Sequence, residues 1–149
     1  MQKQEDCNII QVLKGHRSTV TALKMHSRGN CLISGSNDNT IRIWNRNRDE
    51  FECKQILCSH IDTITSFITD SFNQIFYSAS LDKNILGWKY SEKKQSWLLE
   101  SFNVNEHKMM GLKYDRNLNG CLFFSLSTDG NLTKWTKLPN SQISEKEII

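Results

Sequence analysis

The chain has 149 residues, 38% of them hydrophobic and 23% charged, which is the length and composition of one globular domain rather than of a disordered segment. Its formal net charge of +3 is too small to indicate a nucleic-acid or membrane surface. The start, MQKQEDCNII, lacks the apolar core of a secretory signal, and no run has the length and hydropathy of a membrane span. We therefore expect an intracellular protein, in the cytoplasm or the nucleus.

The cysteines are odd in number and scattered, and none stands in a CxxC pair; they are Cys7, Cys31, Cys53, Cys58 and Cys121. This pattern favours neither a disulfide framework nor a zinc site. Free thiols in a reducing compartment explain it most simply. We expect no metal and no cofactor.

Short apolar or alternating runs, separated by turn residues, predict antiparallel β-strands along most of the chain. The first unit reads TVTALKMH, CLISGS, IRIWN and FECKQIL, the second ITSFIT, IFYSAS, ILGWKY and SWLLESF, and the third MMGLKY, CLFFSLS and LTKWTK. Asn37-Asp38-Asn39 and Asp129-Gly130 supply residue types that tolerate the positive φ of tight hairpins. No stretch shows a helical period, so the predicted fold class is all-β.

Four side-chain types recur in one register in every unit. A histidine is followed 18 residues later by serine, then 4 later by aspartate and 6 later by tryptophan. The members are His16, Ser34, Asp38 and Trp44, then His60, Ser78, Asp82 and Trp88, then His107, Ser125, Asp129 and Trp135. Self-similarity at a period in the mid-forties indicates a structural repeat.

These units resemble the WD40 repeat. The motifs of that family occur in the first unit as Gly15-His16, SGSND and RIWN. In the second unit SH and WK replace the Gly-His and Trp-Asp dipeptides, and in the third unit EH and WT replace them. The resemblance covers residues 8–138 and implies a WD40 β-propeller made of four-stranded antiparallel blades. With the four strands of a blade lettered a to d in chain order, d being the outer one, it places three blades at about 16–58, 60–103 and 107–138, an outer d strand at 8–14 and a tail at 139–149.

Serine, histidine and aspartate are also the members of a hydrolase triad. The resemblance implies instead a buried structural tetrad, in which Trp44 donates to Ser34, Ser34 donates to His16, and His16 meets Asp38. The sequence has no nucleophile elbow of the GxSxG type, and a nucleophile repeated on three equivalent blades is not how catalytic sites are built. We therefore predict that these residues stabilise the blades and do not catalyse a reaction.

Three such units cannot close a ring, because propellers have typically four to eight blades. The expected product is an open arc with two bare end faces. The start, CNIIQVLKGH, reads as a d strand without its blade, whereas PNSQISEKEII after the third unit is a poor strand run. Three explanations stay open: a piece of a longer propeller, a homodimer in which the 8–14 strand of one chain completes the third blade of another, or an arc that completes a partner's ring.

The resemblance implies a non-catalytic scaffold that binds protein partners through the face formed by the d–a loops and b–c turns. The positions that the family uses most are three and five residues after the tetrad histidine, and the residue before the tetrad aspartate. They are Thr19, Thr21 and Asn37, then Thr63, Thr65 and Leu81, then Met110, Leu112 and Thr128. Met and Leu side chains on an exposed rim would suit a peptide.

Two other functions are weighed against this scaffold. The aromatic d strands DEFECKQIL and QSWLLESF are similar to those of the WD40 subunit of cytosolic iron–sulfur protein assembly. Nucleic-acid or lipid binding would require Arg17, Arg46, Arg48 and Lys108 to share one face, and a steep salt dependence would reveal it. We expect neither nucleic acid nor membrane among the partners.

Overall fold

The computed structural model describes residues 8–26, 30–69, 74–114, 123–136 and 145–148, the last four as backbone alone. These residues form twelve β-strands. Among them, none belongs to a helix with the length and hydropathy of a transmembrane segment.

The strands form three separate antiparallel sheets of four strands, which are the blades. Blade one contains β1 Val20–Met25, β2 Cys31–Ser36, β3 Ile41–Asn47 and β4 Glu50–Leu57. Blade two contains β5 Ile64–Thr69, β6 Ile75–Ser80, β7 Asn84–Ser91 and β8 Ser96–Val104. Blade three contains β9 Met109–Tyr114, β10 Phe123–Ser127, β11 Leu132–Thr136 and β12 Glu145–Ile148. The predicted all-β class and the three four-stranded blades are confirmed.

The fourth strand of blade three corrects the sequence prediction of a tail at 139–149. β12 pairs antiparallel with β11, from Thr133 opposite Ile148 to Thr136 opposite Glu145. Its sequence, EKEI, is too short and too charged to be recognised as a strand, and the pairing partner supplies what the pattern lacks. The edge of blade three that a second chain would complete in the homodimer explanation is therefore occupied by the chain's own β12.

The b–c turns of the three blades have the same backbone conformation. The residue after the aspartate lies in the left-handed region in each, with φ of 66° at Asn39, 73° at Lys83 and 85° at Gly130. The preceding aspartate stabilises this turn, because its Oδ1 accepts the backbone N–H two residues on: Thr40 at 2.9 Å, Asn84 at 2.9 Å and Asn131 at 3.3 Å. Each turn is thus stabilised by a residue only two positions away in the sequence, so local sequence is enough to predict it.

The core lies between neighbouring blades. We call the side of a blade that faces the preceding blade in the chain its incoming face, and the opposite side its outgoing face. The first junction buries Ile33, Ile41 and Ile43 of blade one against Ile64, Phe67, Phe76, Trp88 and Trp97 of blade two. The second buries Ile75, Tyr77, Ala79 and Ile85 of blade two against Met109, Leu112, Phe123 and Trp135 of blade three.

Gly35 shows how closely the first two blades approach. A Cβ on Gly35 would lie 2.4 Å from Ile64 Cγ2 and 2.8 Å from Phe67 Cζ. The strand register places Ala79 at the equivalent point of the second junction, because Gly35 and Ala79 both follow the tetrad serine. Only a small residue fits there without displacing the next blade.

Hydrogen bonds also cross the junctions. The Thr21 hydroxyl donates to the Ile64 carbonyl at 2.5 Å, and the Thr65 hydroxyl donates to the Met109 carbonyl at 2.8 Å. On the outer strands, the Gln55 amide donates to the Trp97 carbonyl and accepts the Trp97 N–H, both at 2.8 Å. Each blade is therefore tied to the next at its inner strand as well as through apolar packing.

Candidate protein-binding surface

The tetrad of blade one is a continuous chain of hydrogen bonds. The Trp44 indole N–H donates to Ser34 Oγ at 2.8 Å, and His16 Nε2 lies 2.7 Å from the same oxygen. His16 Nδ1 lies 3.0 Å from Asp38 Oδ2. Because a carboxylate only accepts, Nδ1 carries the proton, and Ser34 donates its hydroxyl proton to Nε2.

Blade two repeats this geometry with tighter shielding. Trp88 donates to Ser78 Oγ at 2.9 Å, His60 Nε2 lies 2.8 Å from Ser78 Oγ, and His60 Nδ1 lies 2.8 Å from Asp82 Oδ2. The side chains of His60 and Asp82 are almost fully buried. The tetrad therefore ties the d–a connection to the b–c turn through the interior of the blade.

The aspartates are held ionised. Burial on its own would raise the pKa of Asp38, but hydrogen bonds from the Thr40 hydroxyl, the Arg17 and Thr40 N–H groups and His16 outweigh it and hold that pKa well below its usual range. Burial opposes ionisation of Asp82 as well, and hydrogen bonds from His60 and the Asn84 N–H lower its pKa to about 2.

The tetrads of blades one and two offer no nucleophile to a substrate. The hydroxyls of Ser34 and Ser78 lie in the interior and use both their donor and their acceptor capacity within the tetrad. A triad serine must instead be open beside a cleft with an oxyanion hole. In the part of the chain that the structure describes, His, Cys, Asp and Glu side chains form no group of three that could hold a metal ion.

Blade three departs from the predicted tetrad. Trp135 still donates to the buried Ser125 Oγ at 2.8 Å. The His107 side chain, however, is 49% exposed and meets Asp129 Oδ2 through Nε2 at 3.4 Å, without a hydrogen bond to Ser125. A hydrogen bond from the Ser127 hydroxyl is the largest of the effects that lower the pKa of Asp129. The prediction that His107 braces the interior of blade three is wrong.

Two compensating length changes explain this error. The tetrad serine lies 11 residues beyond its a-strand partner in blades one and two, at Leu23–Ser34 and Phe67–Ser78, but 13 beyond it in blade three, at Leu112–Ser125. In blade three the stretch between the histidine and the first strand is two residues shorter than in blade two, because His60 precedes β5 by 4 residues and His107 precedes β9 by 2. The constant spacing of 18 therefore does not reflect a constant register.

Asn105 lies where the histidine would lie, counting back from β9. The Thr19, Thr63 and Lys108 carbonyls accept equivalent b–c turn N–H groups, and Asn105 precedes Lys108 as His60 precedes Thr63. Its side chain is buried and donates to the Lys83 carbonyl at 3.2 Å. A cavity of about 20 Å³, enough for one water molecule, opens beside it. The cavity is lined by Asn105, Glu106, His107, Met109, Ser127, Asp129, Asn131 and Thr133.

The d–a connections and b–c turns meet at one end of the blades, which we call the rim. Three backbone hydrogen bonds bring the candidate positions together in pairs there: Asn37 to Thr19 at 2.9 Å, Leu81 to Thr63 at 3.0 Å and Thr128 to Lys108 at 3.1 Å. Lys108, rather than Met110, is thus the counterpart of Thr19. Sequence spacing missed it for the same reason that it misplaced His107.

The candidate positions five residues after the tetrad histidine are Thr21 in blade one and Thr65 in blade two. Their hydroxyls donate the junction hydrogen bonds described above. Met110 is their counterpart in blade three, since the strands pair from Val20, Ile64 and Met109 with a register shift directly after. It has no donor for a further junction, and 51% of it is exposed.

Leu112 does not belong to this surface. It pairs with Ser125 and lies in the core of the second junction beside Phe123. The prediction that it is exposed is wrong, because the two-residue shift moves it from the rim into the strand. The remaining candidates lie at the rim, with Thr19, Thr21, Asn37 and Thr128 exposed and Thr63, Thr65 and Leu81 half-buried.

The four basic residues do not share one face. The Arg17 N–H donates to Asp38 in the b–c turn, and Lys108 accepts from Thr128, so both lie at the rim. Arg46 and Arg48 lie at the opposite end of blade one, where β3 turns into β4. The condition for a single basic patch is not met.

The comparisons with known proteins point one way. The family model "WD domain, G-beta repeat" matches residues 7–45. Cell division control protein 4 of Candida albicans is 35% identical over 82 residues, covering 55% of this chain and 12% of that protein. Nuclear distribution protein PAC1 of Scheffersomyces stipitis is 26% identical over 128 residues, covering 83% of this chain and 21% of that protein.

Among solved structures, Saccharomyces cerevisiae Sqt1 matches with a TM-score of 0.77 at 17% identity, over 91% of this chain and 35% of that one. This likeness supports the fold alone. The chain spans less than a quarter of the two relatives above and about a third of the solved chain.

Proposed function

Because the chain belongs to the WD40 repeat family, we propose that it is an arc of a β-propeller that binds protein partners through its rim, chiefly at blade three. Proteins of this architecture serve as rigid scaffolds for other proteins. The observation that supports blade three is Met110, which is exposed where the other blades carry a junction threonine.

The surroundings of Met110 suit a peptide contact. Lys108 and Thr128 lie beside each other, and the His107–Asp129 pair, which lies outside the interior, adds an imidazole and a carboxylate to the same rim. An adaptable apolar side chain ringed by polar groups is the composition of a binding hot spot. The rims of blades one and two are more polar at the equivalent points.

The test is a comparison of two full-length variants, Met110→Asp at the rim and Leu98→Asp on β8, near the opposite end. Both replace an exposed apolar residue by a charge. Partners that co-purify with the wild type should be retained by Leu98→Asp and lost with Met110→Asp, while circular dichroism and Tm stay unchanged for both. Equal retention by the two variants would place the contact elsewhere.

A further inference from the structure

The cavity beside Asn105 lies where an imidazole lies in blade two. His60 stands at the equivalent point there, and its Nδ1 lies 2.8 Å from Asp82 Oδ2. In blade three the equivalent residue is the shorter Asn105, and the equivalent aspartate, Asp129, lines the cavity. A volume of about 20 Å³ is therefore left open beside the carboxylate that receives an N–H in the other blade.

The cavity has a buried floor and an open mouth. The floor consists of Asn105, Met109 and Thr133, which are 8%, 3% and 5% exposed. Glu106 and His107 also line the cavity, and both are exposed at the rim. A group that enters from the rim therefore has its tip shielded from solvent, which strengthens each hydrogen bond that the tip makes.

Asn105 offers a buried acceptor to such a group. Its amide nitrogen donates to the Lys83 carbonyl at 3.2 Å and lies 3.5 Å from the Asn103 carbonyl. Because these carbonyls occupy the side of the nitrogen, the amide oxygen lies on the other side, and none of the described residues donates to it. A buried oxygen without a donor costs free energy, which an incoming N–H would recover.

The charge of the lining favours a cation. The lining contains the carboxylates of Glu106 and Asp129 and, among the described residues, no lysine or arginine. A hydrogen bond from the Ser127 hydroxyl lowers the pKa of Asp129, so this carboxylate is ionised at neutral pH. A charged donor makes a stronger hydrogen bond to a carboxylate than a neutral donor does.

The size of the cavity selects among cations. Room for one water molecule is enough for an ammonium group, which carries three N–H donors on one nitrogen. A guanidinium is a larger planar group whose donors are spread over three nitrogens, so the cavity is too small for it. A metal ion is not favoured, because His, Cys, Asp and Glu side chains of the described residues form no group of three that could hold one.

We infer that this cavity binds the ammonium group of a lysine side chain in a protein partner. The inference rests on the proposed function, because it names the chemistry of the partner at the same rim. The ammonium group donates to the Asp129 carboxylate, as His60 Nδ1 does to Asp82, and to the amide oxygen of Asn105. Met110 follows the floor residue Met109 in the chain and contacts the partner beside the lysine.

The first experiment uses n-butylammonium chloride, which has the tip of a lysine side chain, with n-butanol as the neutral probe of similar length. At constant ionic strength, butylammonium should shift the amide NMR signals of the lining residues of the full-length protein in a saturable way, and butanol should not. Asp129→Asn, which removes the charge, and Asn105→His, which fills the cavity with an imidazole, should each weaken this binding at least tenfold. Asp49→Asn removes an exposed carboxylate between β3 and β4, at the opposite end of blade one, and should leave the binding unchanged.

Two results of this titration would overturn the inference. One is that butylammonium and butanol shift the same signals equally, and the other is that Asp129→Asn and Asn105→His bind the probe as the wild type does. If Asp129→Asn unfolds blade three, Asn105→His and Glu106→Gln carry the test, with the same expected weakening.

The second experiment separates this inference from the proposed function. Partners that depend on Met110 should also be lost with Asn105→His, and acetylation of their lysines, which removes the charge, should abolish their binding to the wild type. Retention by Asn105→His together with loss by Met110→Asp would overturn the lysine site and leave the rim function standing. Retention by Met110→Asp would overturn the rim function, whereas the butylammonium titration would still decide whether the cavity binds an ammonium group.

Discussion

His60 Nδ1 lies 2.8 Å from Asp82 Oδ2 inside blade two, where neither side chain reaches solvent. The same contact in blade three is replaced by a long, half-exposed His107–Asp129 pair. One chain thus contains a buried and an exposed version of the same residue pair, which makes each the control of the other.

Truncating the buried histidine should destabilise the protein and truncating the exposed one should not. His60→Ala leaves the Ser78 hydroxyl and the Asp82 carboxylate without their partner, at about 1–3 kcal/mol for each unsatisfied group. His107→Ala removes a surface pair and should change the free energy of unfolding by less than about 0.5 kcal/mol. Urea unfolding measures both; equal losses would show that His107 braces blade three after all.

Acid should weaken blade two over a defined range of pH. The pKa of Asp82 is about 2 in the folded chain, because the His60 and Asn84 hydrogen bonds outweigh its burial, against about 3.9 when unfolded. A depressed carboxyl pKa stabilises above the unfolded value, so this contribution is complete above about pH 4 and is lost as the pH falls towards 2. Unfolding followed by tryptophan fluorescence should show a shallower acid dependence for Asp82→Asn.

Close packing at the first junction should make Gly35 intolerant of a methyl group. Gly35→Ala places Cβ 2.4 Å from Ile64 Cγ2, so blade two must shift, at about 1–3 kcal/mol. At Gly111 the nearest atom, Leu126 Cδ1, is 3.5 Å from such a Cβ, so Gly111→Ala should be neutral or slightly stabilising. Thermal unfolding of the two variants gives the comparison, and similar Tm values would contradict the packing described here.

The thiols should differ in reactivity. Burial raises the pKa of Cys31 to about 11, whereas Cys53 is exposed beside Arg42. Because the thiolate is the reactive form, iodoacetamide at pH 8 should label Cys53 in the native protein and leave Cys31 unmodified until denaturant is added. Peptide mass mapping reads both sites from one sample.

Local signals in the sequence predicted the fold well. The hairpin residues Asp38 and Asn39 and the strand alternation depend on neighbours in the chain, and the structure has strands and turns where they indicated. Gln11 and Gln55 occupy equivalent positions 44 residues apart, as His16 and His60 do, and each exchanges two hydrogen bonds with one backbone group pair, at Phe51 and at Trp97. This repeat is separate from the tetrad pattern.

Blade three could not be predicted from spacing alone. A shorter d–a connection and a longer a–b connection cancel in the sequence count, and only pairing with Ser125 reveals that Leu112 is in the core and His107 outside. β12 was equally hidden, because four residues that include two glutamates and a lysine become a strand only where β11 offers an unpaired edge.

The junction threonines give the arc a direction. Thr21 and Thr65 each lie on the earlier blade and each donate to the later one, so no junction can be reversed without losing its bond. Blades of this kind extend in one direction only, with the donor on the earlier blade and the acceptor on the later one. A circularly permuted chain that keeps the order of its sheets should therefore still assemble, whereas one in which two sheets exchange places should not.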